Sequence, residues 1–168
     1  MLKEAGFRRL ASRGWTRPHG DSHVIVAIQC RQGGWDPRAG SKFVVELEQS
    51  KTPEIGTGYN RDRLWKFLDT PQRRRALEIN DSVALTLPEP DRTFLALLPE
   101  STQLHYLEDF QVTPVDQLSA SDVWFHYYDE SDAEQWGQFL ADNLTRALEL
   151  LLERAPTWFA RAADSEED

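Results

Sequence analysis

The sequence predicts an α+β fold: a small, mainly antiparallel sheet around residues 15–49, covered by helices, the longest at 131–155. Two segments, His23 to Arg31 and Lys42 to Gln49, alternate side chains with the two-residue period of a strand. Near the other end, a capping signature opens a long stretch with apolar residues at helical spacing. The length of 168 residues suits one domain able to bury a core without metal or disulfide staples. Residues 1–163 are expected to form that single domain, and 164–168 a disordered acidic tail.

The elements follow in chain order. Leu2 to Leu10 reads as the start of a helix, with Gly6 as a stop or kink. Trp15-Thr16-Arg17 is a short strand, ended by the turn Pro18-His19-Gly20-Asp21. In His23 to Arg31, Val24, Val26, Ile28 and Cys30 share one face, and Ile25, Ala27 and Gln29 the other. A loop from Gly33 to Gly40 surrounds Asp36-Pro37. The next strand turns Phe43, Val45 and Leu47 inward and Val44, Glu46 and Glu48 outward, and the two strands read as an antiparallel pair.

Pro53, Gly56 and Gly58 make Ser50 to Tyr59 a loop. Asn60 is placed to cap a short helix holding Leu64, Trp65 and Leu68. Thr70-Pro71 opens a helix toward Leu85, with Ala76, Ile79 and Val83 on its apolar stripe. Thr93 to Leu98 is compatible with a strand and Thr102 to Phe110 with a helical turn. Ser131 and Glu134 form a capping box. Trp136, Leu140, Leu144, Ala147, Leu148 and Leu151 then run down one side until Pro156, with Trp158-Phe159 as a last anchor.

Charge is unevenly spread. Residues 1–84 carry 15 Lys and Arg against 10 Asp and Glu, whereas 85–168 carry 4 against 18. An acidic half repels nucleic acid and attracts basic partners. One cysteine, Cys30, allows no internal disulfide, no apolar run approaches the ~20 residues of a membrane span, and the first residues lack a signal-peptide stretch. A cytoplasmic protein is the expectation.

Few residues suggest chemistry. His19, Asp21 and His23 are the one compact set of metal-ligand types, and the basis for a metal-dependent enzyme as an alternative. They lie in an expected turn, where a polar hairpin is the simpler account. Cys30 is a possible nucleophile with His105 or His126, but a strand thiol in an apolar stripe is ordinarily a small core residue. No phosphate loop and no G-x-S-x-G elbow is present. Arg73-Arg74-Arg75, with Arg61, Arg63 and Lys66 and the aromatics Tyr59 and Trp65, forms a basic patch that offers nucleic-acid binding as a second alternative. On a chain of net charge −9 a solvated helix face explains it better. No cofactor is expected.

Trp124-Phe125-His126-Tyr127-Tyr128, followed by Asp129 and Glu130, is the richest stretch. As a strand it turns Trp124, His126 and Tyr128 one way and Phe125 and Tyr127 the other. Core packing claims one side. The other leaves aromatic surface ringed by carboxylates, suited to a partner rich in Lys or Arg.

Gly6-Phe7-Arg8-Arg9, Trp15-Thr16-Arg17, Ile28-Gln29 and Gly40-Ser41-Lys42-Phe43-Val44-Val45 together resemble the bacterial domain-of-unknown-function family numbered 4304. The resemblance covers about the first 70 residues, and only five residues precede Gly6, so the family's first helix is expected to be truncated or absent. It implies no catalytic residues. By size and composition it suggests, as an analogy only, the immunity proteins that neutralise toxins in bacterial competition. The expected function is therefore a non-enzymatic, cytoplasmic protein-binding module, immunity- or antitoxin-like, meeting a basic partner through Trp124, His126, Tyr128, Asp129, Glu130 and Asp132.

Overall fold

Gly6 ends a single turn and not a helix. Its φ of +80° is a left-handed value that favours glycine, and the amides of Gly6 and Phe7 return to the carbonyls of Lys3 and Leu2. The chain then enters β1 (Arg8–Ala11), β2 (Gly14–His19) and β3 (Ser22–Cys30), an antiparallel meander. The computed structural model describes residues 2–11, 13–32 and 34–154. The expected acidic tail, Pro156, Trp158 and Phe159 lie outside the described residues.

β4 (Ser41–Ser50) and β5 (Asn60–Arg63) follow, and β6 (Phe125–Tyr127) arrives much later. The sheet order is β1-β2-β3-β4-β5, with β6 paired to the first residues of β4. Helices α1 (Thr70–Thr86), α2 (Arg92–Leu97), α3 (Glu100–Glu108) and α4 (Glu130–Glu153) complete the described α+β architecture. None of them is long and apolar enough to cross a membrane, among the described residues.

The chain divides into two compact units. The first takes the described residues up to 29, with 45–68 and those from 141 on; the second takes 30–44 and 69–140.

In the first unit, the one-sided strand pattern gives way to burial on both faces. Val24 to Ala27 are all buried in succession, and so are Val45, Glu46, Leu47 and Glu48. Glu46 and Glu48 are therefore not outward, and a buried carboxylate must be paired. Arg61 Nη2 donates to Glu46 Oε2 at 2.6 Å, and its Nε lies 3.6 Å from Glu48 Oε1. The amides of Gly56 and Gly58 donate to Glu48 Oε2 at 2.9 and 3.2 Å, so this carboxylate folds the 51–59 loop over itself. Asn60 caps a different helix from the one expected. It lies in β5, and its Nδ2 donates to the carbonyls of Leu151 and Arg154, satisfying the end of α4.

In the second unit, α1 begins one residue earlier than Thr70 suggests. Asp69 accepts from the Gln72 amide and Gln72 from the Asp69 amide, both at 2.8 Å, a reciprocal capping box with Pro71 in the first turn. Ala76, Ile79 and Val83 are buried as expected. Thr93 to Leu97 is helical rather than a strand, with Leu98 its extended C-cap, because Asp91 accepts the amides of Thr93 and Phe94 and starts α2. Phe94, Tyr106 and Phe110 meet edge to face at 5.2–5.3 Å and hold α2 and α3 together. The core aromatics are Phe43, Phe125, Trp136 and Phe139, with Phe125 and Trp136 stacked at 4.5 Å.

Candidate functional site

Residues directly opposite in an antiparallel pair project on the same face. The β4–β6 register pairs Ser41 with Tyr127, Lys42 with His126 and Phe43 with Phe125. Phe43 and Phe125 turn into the aromatic core, so Lys42 and His126 share the other face. Asn80 completes β6: its Nδ2 donates to the Trp124 carbonyl and its Oδ1 accepts the His126 amide, both at 3.0 Å.

Lys42 opens onto a cleft of about 430 Å³ lined by Arg31, Gln32, His105, Glu108, Asp109 and Trp124. A second recess of about 370 Å³ on Lys42 and Glu108 continues past Val112, Thr113 and Pro114. Arg31 and Asp109 form an ion pair. Lys42 Nζ donates to the Glu108 carbonyl at 3.1 Å, and no carboxylate among the described residues lies within ion-pair reach of it.

Two groups in the cleft and one buried behind Lys42 are perturbed. Burial lowers the Lys42 pKa, Asp109 opposes that, and Arg31 adds to it. Burial raises the Asp109 carboxyl, against the pull of Arg31 and Lys42. Burial, helped by the Lys42 charge, lowers His126 to about 3, so its imidazole is neutral at ordinary pH.

The carboxylates of the predicted surface stand elsewhere in this unit, at the start of α4. Asp129 Oδ1 accepts the Asp132 amide at 3.0 Å, while Asp132 Oδ2 accepts the amides of Tyr128 and Asp129 at 2.8 and 3.3 Å. The capping box is thus Asp129 with Asp132, two residues before the Ser131–Glu134 pair that the sequence suggests. The Trp35 indole donates to the Tyr128 carbonyl at 2.9 Å, and the Tyr128 hydroxyl donates to the Pro37 carbonyl at 3.2 Å. These bonds fix the 34–40 loop against residue 128, yet Trp35 remains 53 % exposed.

The six predicted site residues therefore separate. Tyr128, Asp129 and Glu130 reach the surface beside Trp35, with Asp129 and Glu130 exposed. Trp124 lines the Lys42 cleft. His126 and Asp132 are buried at 2 % and 4 % exposure, a correction to their placement on the outer face. His126 sinks because Trp136 Nε1 donates to its carbonyl at 2.6 Å and Asn80 takes its amide; Asp132 sinks because it serves the helix amides.

Sequence reasoning missed Trp35, Arg31, Lys42 and Asp109. A tryptophan in the glycine-rich "GGWDP" loop is a signal that was available for Trp35. The Arg31–Asp109 pair spans 78 positions and leaves no local trace.

The alternatives find less support. His19 and Ser22 are paired across a tight turn at Gly20-Asp21, and the Ser22 hydroxyl donates to the His19 carbonyl. Among the described residues no three His, Cys, Asp or Glu side chains converge to hold a metal ion. Arg75 pairs with Glu78 on its own helix and Arg73 is half-buried, so the arginine run is not a uniform exposed strip. Comparison with known proteins adds nothing to this geometry: no family model, curated protein or solved structure matches the chain.

Proposed function

We propose that the chain is a non-enzymatic, cytoplasmic protein-binding module, immunity- or antitoxin-like, that meets a basic partner through Trp35, Tyr128, Asp129 and Glu130. The carrying observation is Trp35, a large indole held by a hydrogen bond to Tyr128 and still 53 % exposed. Tryptophan and tyrosine dominate the energetics of protein interfaces, and a ring already fixed in place loses little entropy on binding. Asp129 and Glu130 beside it supply the negative charge that steers and orients a Lys- or Arg-rich surface.

Wild type and the Trp35→Ala, Glu130→Lys double variant, immobilised side by side, test the reading against lysate of the native host. A protein of basic isoelectric point retained by wild type and lost from the variant supports it. Equal retention by two equally folded baits removes this surface from consideration.

A further inference from the structure

We infer that the Lys42 cleft is a binding site for a small organic anion, its carboxylate or phosphate group on Lys42 and its ring or apolar body against Trp124. This site is independent of the protein-binding surface.

The charges in the cleft are unequally answered. Arg31 is engaged by Asp109. The Glu108 carboxylate lies 3.3 Å from His105 Nδ1. Lys42 has a neutral carbonyl as its one fixed acceptor, 3.1 Å away, which leaves two of its three N–H donors for a ligand. Asp109 and Glu108 act on Lys42 only from beyond ion-pair distance, so a half-buried ammonium is left without a direct carboxylate partner, and an arriving anion supplies one by charge and by hydrogen bonding. The buried, neutral His126 beside Lys42 brings no competing carboxylate to that face.

The walls define the rest of the ligand. Trp124 offers a flat apolar surface, and Val112 and Pro114 continue it in the adjoining recess. Asp109 and Glu108 stand at the same opening and disfavour a polyanion. The class is therefore a compact monocarboxylate or phosphate monoester carrying a ring.

The test titrates the full chain at neutral pH with benzoate, phenyl phosphate, acetate and inorganic phosphate, followed by calorimetry and backbone amide shifts. Benzoate or phenyl phosphate is expected to bind with a Kd of about 1 mM or tighter, shifting amides at residues 31, 42, 105–109 and 124. Whichever of the two binds more tightly assigns the head group. Lys42→Met is expected to weaken binding by roughly tenfold or more, and Lys42→Arg to retain most of it. Trp124→Ala is expected to weaken the ring-bearing probes and leave acetate and inorganic phosphate unchanged. Absence of binding by both ring-bearing probes at about 10 mM, or shifts confined to other residues, overturns the proposal. Undiminished affinity in Lys42→Met overturns it too, and if that variant does not fold, the wild-type shift map decides alone.

Discussion

Lys42 stands opposite His126 across the β4–β6 pair, an ammonium and an imidazole on the same face of the sheet. Neither can be charged without cost to the other, and burial falls harder on the histidine, whose pKa drops to about 3. The pair places one half of the richest sequence stretch against a cation, while Tyr128, Asp129 and Glu130 gather around Trp35.

A pH dependence follows from His126. Its folded pKa lies below the ordinary value of 6.5, so on acidification the unfolded chain takes up the proton first. Stability contributed by neutral His126 is present above pH 6.5 and is lost as pH falls toward 3, at up to ~1.4 kcal/mol per pH unit. Asp109, with its raised carboxyl, has the opposite sign and favours the folded chain on acidification. Urea midpoints between about pH 7 and pH 5 are therefore expected to fall more steeply for wild type than for His126→Phe. Parallel slopes contradict the assignment.

Asn80 holds the backbone of β6 on the side that β4 does not pair. Asn80→Ala leaves the Trp124 carbonyl and the His126 amide without their partners in a buried setting. The expected cost is roughly 2–4 kcal/mol, read from chemical denaturation. A loss under about 0.5 kcal/mol, the range of ordinary surface changes, contradicts that role.

Much of the α+β plan was legible because local chemistry carries it. Gly6 marked the first break, Thr70-Pro71 located α1 to within a residue, and the Trp136 to Leu151 stripe set the buried side of α4. Glu46 and Glu48 were misread because alternation reports polarity, and a buried carboxylate answered by Arg61 and glycine amides has the same local pattern as a solvated one. The site was only half legible for a related reason. "WFHYYDESD" shows which residue types lie together, but the Lys42–His126 register and the Trp35–Tyr128 bond join positions 84 and 93 apart. Nothing within the stretch announces either partner.

Asp132 and Glu130, both in the first turn of α4, separate stability from recognition. Asp132→Ala removes the acceptor of the Tyr128 and Asp129 amides and is expected to cost about 1–2 kcal/mol. Glu130→Lys, at an exposed position of the first turn, is expected to cost less than ~1 kcal/mol while weakening partner capture. Thermal melts and retention assays on the two variants check this, and equal destabilisation by both contradicts it.

Gly40 sets the loop that carries Trp35. Its φ is +66°, and a Cβ there meets the Tyr127 carbonyl and lies 2.9 Å from Tyr128 Cα. Gly40→Ala is expected to lose at least ~1–2 kcal/mol in denaturation and to loosen the Trp35 contact. Unchanged stability contradicts the close approach of the loop to residues 127 and 128.

The most direct measurement is a hydrogen-exchange footprint of the chain with and without its captured partner. Protection concentrated at residues 35–38 and 128–131 is the predicted result. Protection confined to other segments, with those two exchanging as in the free chain, contradicts the proposed surface.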